Sequence, residues 1–222
     1  RGGVVTAVIF DLDRTLIDSA PDIAANANVV LQEAGLAELP EATLRGFVGK
    51  GVGHLIGCML HASGQVPDGP LFAPMLKRFN QRYETAFEHT KVYPGVTEAL
   101  ETLAQMGCAL GICTNKPIAP TRAVLAHLDL TPYFGAVLGG DSLAVRKPDP
   151  APLRAVADEL GQSLVIYVGD SEVDAETAAN AKLPFLIYTE GYRKSPVHEL
   201  RHDAAFNDFR QLPGLVANLM KG

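Results

Sequence analysis

Short apolar runs that alternate with helical patterns leave this 222-residue chain few ways to fold. Residues 4–10, 109–113, 164–168 and 185–188 are each rich in Val, Ile, Leu or aromatics, and the first three end in a polar turn. Residues 136–138 form a weaker candidate strand. Helical patterns fill 95–106, 120–128, 151–160 and 173–182, followed by a short strand near Ala205 and a last helix ending near Met220. Parallel strands need a crossover, and a helix is the usual one. The pattern therefore predicts an α/β fold built on a doubly wound parallel sheet.

One stretch breaks the alternation. Residues 19–89 carry helical segments and no convincing strand. Ser19 is placed to cap a helix with Pro21 in its first turn and Asp22 nearby. Further helical segments lie near 41–47 and after Gly53 and Pro70, separated by breaks at 49–53 and 64–74. The expected organisation is a core from 1–17 and 88–222, with a small helical cap inserted at 18–87. Opening and closing of that cap is expected about joints near Ile17 and Lys91.

Ligands of open parallel sheets bind beyond the carboxyl ends of the strands, where this sequence puts its unusual polar residues. Asp11-Leu12-Asp13-Arg14-Thr15 follows the first strand and Thr114-Asn115-Lys116 the second. Arg146-Lys147-Pro148 precedes a helix, and Gly169-Asp170-Ser171-Glu172-Val173-Asp174 follows a later strand. Each alone reads as a turn or a cap. Together they are harder to dismiss, because two acids at the end of a buried strand are costly unless something binds them. If Asp11, Asp13, Asp170 and Asp174 converge, each close pair repels by about 4 kcal/mol at an effective dielectric of 20. Such a cluster must take up protons or a cation. Hard oxygen ligands without His or Cys favour Mg²⁺, and the six histidines show no zinc spacing.

These parts suit phosphoryl transfer. A carboxylate nucleophile splits one displacement into two, a cation removes charge repulsion, a lysine and a hydroxyl hold phosphoryl oxygens, and a second acid protonates the leaving oxygen. The net charge of −6 argues against nucleic acid as a partner, and no apolar run approaches a membrane span. Cys58, Cys108 and Cys113 fit neither a disulfide framework nor a zinc motif, and Cys108 and Cys113 read as small core residues. No signal peptide is visible, so a reduced, cytoplasmic setting is expected. The chain opens Arg1-Gly2-Gly3 rather than with Met, which leaves its native start open. A monomer or a homodimer is compatible with this reading.

The four motifs, Asp11-Leu12-Asp13, Thr114-Asn115, Lys147 and Gly169-Asp170 with Asp174, resemble those of the haloacid dehalogenase superfamily across nearly the whole chain. The resemblance implies the superfamily's Rossmann-like core. It implies Asp11 as nucleophile, Asp13 as general acid and base, and Mg²⁺ held by the Asp11 side chain, the Asp13 backbone carbonyl and Asp170. It also implies that Thr114 and Asn115 hold the phosphoryl group, that Lys147 neutralises it, and that Asp174 supports the metal or Lys147. Dehalogenases of the superfamily lack the second acid, so Asp13 favours phosphoryl chemistry.

Asp18 to Asp22 and the cap loop Val48-Gly49-Lys50-Gly51-Val52-Gly53 look most like the corresponding segments of phosphoglycolate phosphatases. The loop, with Lys50 and Gly51, is a candidate receiver for a substrate carboxylate; a helix-to-helix turn is the other reading. The expected substrate is a small phosphorylated metabolite, with 2-phosphoglycolate leading. A sugar-phosphate phosphotransferase and an enzyme similar to phosphonoacetaldehyde hydrolase, with Lys50 as a Schiff-base lysine, are the alternatives. Arg14 stands where the family usually has Gly. It costs about 1–2 kcal/mol if its backbone is left-handed; otherwise its guanidinium faces phosphate or solvent. It is expected to be tolerated, with Arg14→Gly leaving turnover within a few-fold.

Overall fold

The computed structural model describes residues 5–221. Its strands are β1 (Thr6–Phe10), β2 (Ile17–Asp18), β3 (Lys91–Val92), β4 (Ala109–Cys113), β5 (Ala136–Leu138), β6 (Leu164–Gly169), β7 (Phe185–Tyr188) and β8 (Ala204–Phe206). Six of them form one parallel sheet in the order β5-β4-β1-β6-β7-β8. The order turns back at β1, which pairs with β4 on one side and β6 on the other. The expected first strand begins late. Val4 lies outside the described residues, Val5 is exposed, and pairing starts at Thr6.

Alternate residues of the strands feed opposite faces of the sheet. Val8, Phe10, Leu110, Ile112, Ile166, Val168 and Leu186 join one hydrophobic cluster. Against it pack α5 (Val96–Gln105), α6 (Ile118–His127) and α9 (Leu212–Leu219). Ile9, Cys113, Tyr167, Phe185 and Ile187 join the other cluster, under α7 (Ala151–Leu160) and α8 (Glu172–Ala181). Burial on both faces explains why β1 reads as an unbroken apolar run rather than an alternating one. The three cysteines are free, with Cys108 and Cys113 buried as expected. No helix among the described residues is long and apolar enough to cross a membrane.

The segment between β2 and β3 holds helices joined by loops and no strand. It comprises α1 (Ala20–Glu33), α2 (Glu41–Arg45), α3 (Val52–Ala62) and α4 (Phe72–Tyr83), which share a separate hydrophobic cluster centred on Leu31, Leu44, Ile56, Leu60 and Phe79. Its two connections to the sheet lie side by side, because Ile17 pairs with Val92 and Asp18 with Lys91 in an antiparallel ladder. That ladder escaped the sequence reading, since two residues per strand show no periodicity. Ser19 does precede α1, but its side chain makes no capping bond. The hydroxyl is spent on the Asp13 carboxylate instead, at 2.5 Å.

Candidate active site

Three neighbouring strands deliver the site. Asp11 and Asp13 follow β1, Thr114, Asn115 and Lys116 follow β4, and Asp170 and Ser171 follow β6, with Asp174 in the first turn of α8. Lys147 arrives from the loop between β5 and α7. All of these side chains are buried.

Asp174 organises one side. Its Oδ2 accepts from the backbone N–H of Asp170 and Ser171 and from the Ser171 hydroxyl, and its Oδ1 accepts from Lys147 Nζ at 2.8 Å and Tyr167 Oη at 2.9 Å. Gly169 must be glycine here, because a Cβ would collide with the Asp174 carboxyl group. Burial alone would raise Asp174, but Lys147 and the bonds from Asp170 N–H and Tyr167 hold it below the ordinary carboxylate value. Lys147 Nζ also lies 3.1 Å from Asp11. Burial works against its charge, and Asp11 and Asp174 outweigh that and keep the ammonium protonated.

Asp11, Asp170 and Asp174 each present an oxygen within 4.8 Å of the others. Burial, then the charge of Asp174, pushes Asp11 up to about 8 despite Lys147 and the Leu12 N–H, with Asp170 adding to the rise. Asp170 rises to about 6, chiefly through burial, although Arg14 pulls it down. Thr15 Oγ1 and the Tyr192 N–H donate to Asp170. Among the described residues, Lys147 touches Asp11 and Asp174 and Arg14 acts on Asp170, so three ionised carboxylates still leave an excess of negative charge, and the donors are all hard oxygens. The set fits a divalent cation such as Mg²⁺. A measurable consequence concerns stability. Without a cation the folded chain holds a proton on Asp11 that the unfolded chain releases near pH 4, so stability falls as pH rises toward about 8. Mg²⁺ competes with that proton. The gain in melting temperature on adding Mg²⁺ is expected to be larger above pH 8 than below pH 6, and an equal gain at both would contradict it.

Asp13 turns the other way. It lies outside the three-carboxylate group, accepts from Ser19 Oγ, and sits 3.5 Å from Lys116 Nζ. Asp11 and Asp13 face a cavity roofed by the helical insert, with Gly49, Gly51, Val52, Leu55 and Tyr83 among its lining residues. Its free volume is about 30 Å³, room for one or two waters.

The remaining expected residues divide. The Thr114 hydroxyl lines the cavity, accepting from the Lys116 N–H and keeping its own proton to donate. The Asn115 amide is committed to backbone: it donates to the carbonyls of Gly49 and Lys147 and accepts from the Lys147 N–H. It thus fixes Lys147 and ties the insert to the core. Gly51 lines the cavity, whereas Lys50 is exposed and lines the neighbouring pocket with Arg14, His54 and Tyr192. Arg14 is left-handed (φ 67°). Its guanidinium is buried, donating to the Val48 carbonyl at 2.8 Å and lying over the Tyr192 ring. Gly49 (φ 121°) gives it room, since a Cβ there would meet Arg14 Nη2. Arg14→Gly is therefore expected to relieve strain but loosen the 48–51 loop, raising KM more than it changes kcat. An unchanged KM would restore the simpler view of a tolerated residue.

Sequence reasoning gave no role to Lys116, Tyr83, Thr15 or Tyr167. Lys116 stood in a quoted motif, and the signal that it is buried comes only from the insert folding over it. Tyr83 lies far along the chain from every motif.

The chain matches the model of the haloacid dehalogenase-like hydrolases over residues 8–188, and it belongs to that family. Among relatives, it is 51% identical to a phosphoglycolate phosphatase of Rhodobacter capsulatus, covering 95% of this chain and 96% of the relative. It is 42% identical to one of Rhodospirillum rubrum, covering 93% and 88%. Among solved structures it resembles a predicted phosphoglycolate phosphatase from Haemophilus somnus with a TM-score of 0.89 and 28% identity, covering 96% of this chain and 98% of that one.

Proposed function

We propose that the protein hydrolyses 2-phosphoglycolate to glycolate and inorganic phosphate through a phosphoryl group carried transiently on Asp11. The observation that carries the reaction is the split environment of the two acids. Asp11 lies beside Lys147 and the carboxylate cluster, while Asp13 is turned away toward Ser19 and Lys116. Environments that separate two carboxylates in this way assign them different tasks. The names of the relatives support the substrate.

An Asp11 oxygen attacks phosphorus as the bond to the ester oxygen breaks, and Asp13 gives that oxygen its proton. Water then attacks the phosphorus of the acyl phosphate, Asp13 takes the water's proton, and phosphate leaves with the Asp11 carboxylate restored. Lys147 and the Thr114 hydroxyl hold the phosphoryl oxygens throughout. Asp174 holds Lys147 in place, and Asn115 fixes the backbone on either side of it. Asp11, Asp170 and the Asp13 backbone carbonyl would hold Mg²⁺, which supplies charge neutralisation between nucleophile and phosphoryl group. A cavity this small favours lifting of the insert, residues 18–87, as the substrate enters. Lys50 is exposed and lines the neighbouring pocket rather than the cavity that holds Asp11 and Asp13, which argues against a Schiff-base lysine.

Phosphate release from a panel of phosphorylated metabolites, with and without Mg²⁺, tests the reading. Mg²⁺-dependent release fastest from 2-phosphoglycolate is the expected result. Faster release from another metabolite would keep the mechanism and discard the substrate. An isomerised sugar phosphate without free phosphate would point to the transferase.

A further inference from the structure

We infer that Lys116, with Tyr83 of α4, receives the carboxylate of the substrate and sets the preference for an anionic leaving group. The inference rests on the phosphoglycolate reading above. Lys116 is the one cationic side chain among the described residues lining the cavity. Its side chain is 3% exposed, and its ammonium lies 2.8 Å from Tyr83 Oη and 3.5 Å from Asp13 Oδ1. An ammonium has three protons to donate, so one remains after these two neighbours.

Its place relative to the reacting groups decides the role. Lys147 stands with the phosphoryl end, against Asp11 and Asp174. Asp13 hands its proton to the ester oxygen, so the leaving group lies beside Asp13. In phosphoglycolate the carboxylate carbon is two bonds from that oxygen. A cation next to Asp13, distinct from the Lys147 that pairs with Asp11, is therefore where that carboxylate arrives. Burial is costly for an ammonium, and Asp13 compensates only in part. A second anion completes the compensation.

Tyr83 adds a donor from the insert. It accepts from Lys116 Nζ and keeps its own O–H, which burial holds protonated. A carboxylate bridging Lys116 and Tyr83 would link core to insert through the substrate itself. Lys50 is the rival cation, but it is exposed and lines the neighbouring pocket.

The test compares kcat/KM for 2-phosphoglycolate and for ethyl phosphate, which has the same skeleton without the carboxylate. In Lys116→Met the 2-phosphoglycolate value is expected to fall on the order of 100-fold or more. The ethyl phosphate value should change far less, collapsing the wild-type preference. Tyr83→Phe, which keeps the lysine, should raise KM for 2-phosphoglycolate by a larger factor than it raises KM for ethyl phosphate. Equal losses on both substrates would overturn the inference and leave Lys116 as a partner of Asp13 alone. Undiminished activity on 2-phosphoglycolate would overturn it too, pointing to the 49–51 loop as receiver. If Lys116→Met does not fold, Tyr83→Phe decides: a shift in selectivity supports the inference and none overturns it. A wild type without preference for 2-phosphoglycolate would remove the substrate reading, and this inference with it.

Discussion

Asp11→Asn is expected to abolish phosphate release, by about 10⁴-fold or more, while leaving the chain folded and, without Mg²⁺, more heat-stable than the wild type. Both halves follow from one arrangement. Asp11 is buried against Asp170 and Asp174, and their charges help push its carboxyl up to about 8. The isosteric amide keeps the shape and the Leu12 N–H bond but, unlike the carboxyl group, needs no proton taken up to be buried there without a cation. The amide cannot serve as the nucleophile, so no acyl phosphate forms. Phosphate release, melting temperature without cation, and acid-quench trapping of phosphorylated enzyme would be measured side by side. A variant within ten-fold of wild type would discard the covalent mechanism. A variant that is inactive but also less stable without Mg²⁺ would instead discard the account of the carboxylate cluster.

The second large effect belongs to Asp13→Asn, and its size should depend on the leaving group. With an alkyl ester the departing oxygen needs a proton, so loss of Asp13 should lower turnover by about 10²- to 10⁴-fold. Nitrophenyl phosphate releases an anion that is stable without help, so its first step should survive. The second step still lacks a base for water. The variant should therefore give a burst of nitrophenol equal to the enzyme present, then slow turnover, as phosphorylated Asp11 accumulates. Absence of a burst with this substrate, together with the large loss on alkyl esters, would place Asp13 in positioning rather than proton transfer. Lys116, 3.5 Å away, loses its counter-ion in this variant, and a lowered melting temperature is expected.

The parallel sheet was legible because strands buried on both faces write long apolar runs, as Ile9 and Phe10 do from opposite sides of β1. The four motifs were legible because the carboxyl ends of those strands are where polar residues stand out. Legibility failed where function comes from contacts across the chain. Nothing local in Asn115 reveals that its amide clasps the backbone of Gly49 and Lys147, or in Arg14 that it reaches Val48. Ser19 read as a helix cap because its neighbours are helical, and only the fold brings the Asp13 carboxylate within its reach. The pairing of β2 with β3 was invisible for a different reason: two residues per strand are too few to show any periodicity.

That small ladder has a consequence for how such a protein can change over generations. Since Ile17 faces Val92 and Asp18 faces Lys91, everything between them enters and leaves through a single doorway. To the sheet, the helices amount to one loop with pinned ends, and the entropy of closing such a loop grows only slowly with its length. Closure alone therefore sets little limit on the length of the helical segment, whereas the bonds of Val48, Gly49 and Tyr83 to the core limit which of its residues can change. The chemistry is inherited with the sheet, while the insert's share of substrate choice, Tyr83 and the 49–51 loop, can vary beside it.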